Sequence, residues 1–112
     1  MERELEVRLA ELAGSLLEAE DLLRAYGDKW VSERLARLRD RLAAGDFSAV
    51  ASALSEATGS MGSLRDRVLT PTNGDDIAET DVERVNARLV ALVETIRSRA
   101  LAAQAAGAPS GW

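Results

Sequence analysis

Residues 2–26 read ERELEVRLAELAGSLLEAEDLLRAY. Within them Leu5, Leu9, Leu12, Leu16, Ala19 and Leu23 recur at steps of 4, 3, 4, 3 and 4. That rhythm keeps six apolar side chains on one side of a 3.6-residue period, so the stretch is a long amphipathic helix. Leu17 and Leu22 widen the stripe, and Gly14 weakens the interior by about 1 kcal/mol relative to alanine or admits a close neighbour. Glu4 with Arg8, and Glu20 with Arg24, are expected as i,i+4 pairs on the outer face. Gly27 after Tyr26 is a left-handed terminator.

The same reading extends outward. Asp28 caps a second helix over 29–44, whose Val31, Leu35, Leu38 and Leu42 repeat at 4, 3 and 4, with Trp30 expected to plug a bundle end. Arg34, Arg37 and Arg41, with Arg39, form a basic stripe expected to be neutralised by the acidic first helix. Gly45 closes this helix and Asp46 caps a third, short one with Phe47, Val50, Ala51 and Leu54 as its apolar face. Residues 59–80 are irregular. Ser63 followed by Asp66 reads as a capping signal for a turn over Leu64 to Leu69. Thr70-Pro71 forces extended backbone, and Asn73-Gly74-Asp75-Asp76 is turn chemistry. Thr80 with Glu83 reads as a capping box for a last helix carrying Val82, Val85, Leu89, Leu92 and Ile96 at 3, 4, 3 and 4. That helix should fray from Ala102 to Ala106, leaving a mobile tail at 107–112. The expected fold is all-α: an antiparallel bundle of three long helices plus one or two short ones, in one domain over 1–106.

Composition narrows the chemistry. The chain has 112 residues, a net charge of −5, and neither cysteine nor histidine. The commonest general base, the commonest metal ligand and any thiolate are therefore missing. Ser60 and Ser63 have no histidine to activate them, and Lys29 is the only lysine. The chain is read as non-enzymatic, without cofactor or metal. A chain opening on Met1-Glu2-Arg3-Glu4, with no apolar leader and no apolar run near the ~20 residues a bilayer needs, reads as a cytoplasmic bacterial protein without membrane contact. The acidic balance disfavours nucleic acid.

Two constellations remain as candidate sites. In Gly59-Ser60-Met61-Gly62-Ser63-Leu64-Arg65-Asp66, two glycines and two serines bracket one flexible apolar side chain. A bundle does not need such a loop in order to fold. Gly59 and Gly62 permit positive φ or close backbone approach, and Met61 and Leu64 are expected to cap the core. The lysine and the spacing of a phosphate-binding P-loop are absent. The second constellation is the acidic run Asp75, Asp76, Glu79, Asp81 and Glu83, which suits a helix N-terminus or a basic protein surface and lacks calcium-loop spacing. The candidate binding residues are thus Gly59, Ser60, Met61, Gly62, Ser63, Arg65, Asp66, Asp75, Asp76 and Glu79, with Tyr26, Trp30 and Trp112 as aromatic anchors where exposed.

Tyr26-Gly27 with Trp30, then Gly45-Asp46-Phe47-Ser48, then the 59–66 loop with Val68-Leu69, resembles a family of small uncharacterised bacterial helical domains of unknown function. Their loop is of the Gly-Gly-Met-Gly-Ser-Leu-Asn-Asp type. The resemblance covers roughly residues 5–70. This chain departs from the pattern at Ser60 and Arg65. The resemblance implies a helical fold and carries no reaction or ligand. The expected function is a protein-binding module, concretely an immunity or antitoxin protein that masks a basic toxin. The alternative is a structural or self-associating domain, with a homodimer left open.

Overall fold

The computed structural model describes residues 2–59 and 61–107. Among them the secondary structure is helical, with no strand. Four helices pack together: α1 (Glu2–Ala25), α2 (Lys29–Ala43), α3 (Ser48–Thr58) and α4 (Val82–Gly107). Two are long, of 24 and 26 residues, and two are shorter, of 15 and 11. The expected all-α architecture of packed helices is observed; the second helix, counted among three long ones, spans 15 residues. No described helix is long and apolar enough to cross a membrane.

α1 and α4 form the spine. Arg88 lies 3.5 Å from Glu18, and Arg99 donates to the Glu11 carbonyl at 2.9 Å, so the two run in opposite directions. α2 packs mainly on α1, and α3 mainly on α4. The α1–α2 turn closes as sequence chemistry requires. Gly27 is left-handed, its N–H donates to the Arg24 carbonyl, and the Asp28 N–H reaches back to the Leu23 carbonyl at 2.9 Å. This is the paired arrangement that satisfies free carbonyls at a helix end. Gly45 repeats it on Leu42 and Arg41. The Asp28 carboxylate caps α2 by accepting from the Val31 N–H at 3.1 Å. Asp46 does the equivalent for α3 through the Ser48 N–H at 3.0 Å.

The aliphatic stripes meet in one dry interior. Leu12, Leu16, Ala19 and Leu23 of α1 are fully buried, as are Leu35 of α2 and Ile96 of α4. α3 is rotated from the expected face. It buries Ala49, Val50, Ala53 and Ala57, while Ala51 is exposed and Phe47 is 40% exposed. The three alanines, one turn apart, let the α3 backbone approach α4, and small contact residues shorten interhelical distance. Phe47 instead lies over Gly107, where an added Cβ would sit 2.4 Å from its ring. α4 therefore does not fray from Ala102: Ala103 is buried and the helix continues to Gly107. The rest of the expected tail, including Trp112, lies outside the described residues.

Polar pairs fix the elements in register. Glu20 keeps the expected i,i+4 pair with Arg24 at 3.9 Å, but it is not on the outer face: it is 1% exposed and also takes Arg39 of α2 at 2.6 Å. Ser32 donates to the Glu20 carbonyl at 3.2 Å. The bond to Glu20 is the main cause raising the Arg39 pKa above its ordinary value. Among the described residues, only Arg39 of the basic stripe pairs with α1; Arg34 pairs with Glu56 of α3, and Arg41 with Asp46.

Residues between α3 and α4 contribute to the core. Leu64, Leu69 and Ile77 are buried, spaced along three 3-10 turns at Leu64–Asp66, Pro71–Asn73 and Glu79–Asp81. The expected turn over Leu64 to Leu69 shrinks to its first three residues. Thr80 does not cap α4. It lies inside the third of these turns, and α4 follows directly at Val82.

Candidate functional site

The 59–66 loop leaves α3 under tight restraint. A Cβ on Gly59 would stand 2.2 Å from the Ser55 carbonyl oxygen, so only glycine allows the chain to turn back this closely. Gly62 adopts φ +88°, the left-handed region that L side chains avoid. Each glycine is thus required, Gly59 for space and Gly62 for conformation.

One carboxylate organises the segment from Gly62 to Leu64. Glu56, in the last turns of α3, has a side chain 13% exposed. Its Oε2 accepts from Arg34 Nε at 2.7 Å, and its Oε1 from Arg34 Nη2 at 2.9 Å and from the Leu64 N–H at 2.9 Å. Arg34 Nη2 also donates to the Gly62 carbonyl at 2.9 Å, and the Gly62 N–H donates to the Asp66 carboxylate at 3.1 Å. Paired charged hydrogen bonds of this kind are stronger and more directional than neutral ones. α2, α3 and the loop are joined through Arg34 and Glu56, and the fully buried Leu64 anchors the far side.

Met61 sits at the tip. It does not cap the core as expected: it is 92% exposed. Trp30 likewise plugs nothing and is 74% exposed. It lies one helical turn before Arg34 on α2. Val68 is 50% exposed and directly follows Arg67, whose Nε donates to Asp28 at 2.6 Å. Two cross-links, Asp28–Arg67 and Arg34–Gly62, thus tie the start and middle of α2 to the connector that carries Met61 and Val68. Ser63 makes no capping bond; its hydroxyl is buried with no partner among the described residues. Ser60 lies outside the described residues. Arg65 and Asp66 are exposed.

The acidic run is divided by the fold. Asp75, at 5% side-chain exposure, accepts from Arg67 Nη2 and from the Thr70 N–H at 3.0 Å. Arg67 is shared by Asp75 and Asp28. Burial works to lower its pKa, and the two carboxylates more than offset that, raising it above the ordinary value. Asp75 therefore serves the connector's structure and is not available at the surface. Asp76 bonds through its backbone N–H to the Tyr26 carbonyl at 2.9 Å, leaving its side chain exposed beside the α1–α2 turn. Glu79 and Glu83 are exposed, and Asp81 pairs with Arg84 at 3.2 Å. No group of three carboxylates among the described residues is placed to hold a metal.

Sequence reasoning missed Glu56, Arg67 and Asn86. Asn86 of α4 accepts from the Leu69 N–H and donates to the Leu69 carbonyl, both at 2.8 Å, imitating a neighbouring strand. A lone glutamate in α3 and a lone asparagine in α4 carry no spacing signal; their partners are 22, 8 and 17 residues away.

No protein-family model matches this chain, and comparison with curated proteins and with solved structures found no match.

Proposed function

We propose that this chain is a non-enzymatic protein-binding module whose contact face is built around Met61. The observation that carries the reading is a thioether 92% exposed at the tip of a loop fixed by Arg34, Glu56 and buried Leu64. A flexible, polarizable side chain on a rigid support gives a partner pocket something to grip at little ordering cost. Trp30, 74% exposed, adds the large amphipathic anchor enriched at binding hot spots. A net charge of −5 and the exposed Asp76, Glu79 and Glu83 support a basic partner, because complementary charge speeds encounter. An immunity or antitoxin protein masking a basic toxin is the concrete form of this reading.

The test compares the wild type with Met61→Asp and Trp30→Ala as bait in native lysate at low salt, with circular dichroism to confirm folding. A protein retained by the wild type and lost from both variants is the expected result. Equal retention by folded variants places the site elsewhere. The exposure of Val90, 63%, and Leu101, 42%, on α4 favours self-association as the competing reading. Sedimentation across a concentration range decides it, since a tight dimer abolished by Val90→Asp and indifferent to Met61→Asp replaces the partner.

A further inference from the structure

α4 carries a second line of residues on the side away from the core. Val90, Glu94, Arg97 and Leu101 recur at steps of 4, 3 and 4 and are all exposed, while Leu89, Leu92, Ile96 and Ala100 are buried. That spacing keeps the four on one face of the helix. Their order is symmetric about the Thr95–Ile96 peptide bond. Counting outward from it, Glu94 and Arg97 are second on either side, Val90 and Leu101 sixth, and Ala87 and Gln104 ninth. Acid thus answers base, and one large aliphatic side chain answers another.

A two-fold axis sets a surface against itself, so the surface must be self-complementary. With the axis at the Thr95–Ile96 midpoint, two antiparallel copies of α4 set Val90 against Leu101 of the second copy, and Glu94 against Arg97 of the second copy, each contact occurring twice. A parallel pair would oppose Glu94 to Glu94 and Arg97 to Arg97, and like charges so placed repel. Within one chain Glu94 and Arg97 stand 3.9 Å apart, a loose exposed pair that holds neither side chain firmly. Val90 to Leu101 spans about 16 Å at 1.5 Å per residue. A contact that long and one helix wide belongs with the small, transient interfaces.

We infer that α4 pairs antiparallel with α4 of a second copy along this line, forming a weak symmetric dimer. The inference goes beyond the Met61 reading and is independent of it, because it uses no residue of the 59–66 loop or of α2. Its weakness separates it from a tight dimer that would replace a protein partner.

The test is sedimentation of the full chain at low salt, from about 10 μM to about 1 mM, a range that brackets a dimer of roughly 0.1 mM affinity. A dimer that grows with concentration and weakens with added salt is expected. Glu94→Arg and Arg97→Glu should each weaken it at least about fivefold, and Leu101→Asp likewise. Mixing Glu94→Arg with Arg97→Glu should restore pairing, because each copy then meets only opposite charge; the double variant carrying both changes should pair with itself. Circular dichroism melts confirm that every variant folds, as these exposed positions allow. A monomer at every concentration, a dimer indifferent to both charge reversals, or a mixture no tighter than its two components overturns the inference. A dimer lost with Met61→Asp and retained with Leu101→Asp overturns it as well. Failure here with Met61-dependent capture intact leaves the proposed function standing, and loss of that capture with the dimer intact overturns only the Met61 reading.

Discussion

Glu56 satisfies three donors from two separate segments with one carboxylate, and nothing else described accepts from the Leu64 N–H. Glu56→Gln keeps the shape, removes the charge and turns an amide donor toward Arg34. We expect a loss of about 1–3 kcal/mol in urea unfolding, discounted for the 30% exposure of Arg34, with faster hydrogen exchange at Leu64. A variant within ~0.5 kcal/mol of wild type would show that this carboxylate does not hold the loop. The two glycines separate steric from conformational demand. Gly59→Ala should cost about 1–3 kcal/mol, because its Cβ meets the backbone of Ser55. At Gly62 a Cβ meets nothing within 4 Å, so only the positive φ is penalised. Gly62→Asn should therefore be milder than Gly62→Val, since asparagine tolerates the left-handed region. Thermal melts of the four proteins rank these effects. Both glycines stood out in the sequence because two of them three residues apart, each followed by a serine, have no use inside a helix. Glu56 did not, because the meaning of a carboxylate depends on what faces it.

Elements show a similar division. The stripes of α1, α2 and α4 were legible because each of these helices turns a steady face of leucine and valine to the core. The face of α3 was not, because alanine carries a weak hydrophobic signal and Phe47 drew the reading toward the wrong side. Glu20 misled for a related reason: its i+4 partner Arg24 was visible in the chain, and its spatial partner Arg39 was not. The Val68–Thr70 stretch is fixed by Asn86, which gives one extended residue both a donor and an acceptor. Asn86→Ala would leave the Leu69 N–H and carbonyl buried and unpaired. The expected cost is about 2–4 kcal/mol, read by denaturant titration, with loss of exchange protection at Leu69 as the local signature. At the start of α3, Asp46 accepts from the Ser48 hydroxyl and from Arg41, in that order of influence, and its pKa lies below the usual aspartate value. A carboxyl depressed in the folded state stabilises fully above its unfolded pKa of roughly 3.9 and loses that contribution as pH falls through the folded value. Asp46→Asn should thus lower the melting temperature near neutral pH, and its difference from wild type should shrink below about pH 4. A difference that stays constant into acid would trace the effect to shape and exclude charge as its source.

For the molecule as a whole, charge is arranged by location more than by total. The exposed acids Asp76, Glu79 and Glu83 gather beside the α1–α2 turn and the start of α4, while the exposed Arg65 stands in the 59–66 loop. Long-range attraction decays over a Debye length of about 8–10 Å at ordinary salt, whereas a docked side chain feels only its neighbours. For the captured partner, raising salt from about 0.02 to 0.3 M should slow association several-fold and change dissociation little. Stopped-flow kinetics with Asp76→Asn/Glu79→Gln should reproduce most of that slowing at low salt. An association rate indifferent to both salt and these substitutions would remove the acids from the encounter. The division of labour between Asp75 inside and Asp76 outside was invisible in the chain, because adjacent residues of identical chemistry differ only in which way the backbone turns them.

Placing a sulfur atom so far into water also makes it a chemical target. Mild peroxide should convert Met61 to its sulfoxide readily, since nothing shields the thioether. The fold should ignore this, for no packed neighbour loses contact, while any surface that had closed around the methyl group would now meet a polar S=O. Oxidised protein with an unaltered melt and weakened grip would mark Met61 as displayed for another molecule's use; reduction by methionine sulfoxide reductase should restore the grip.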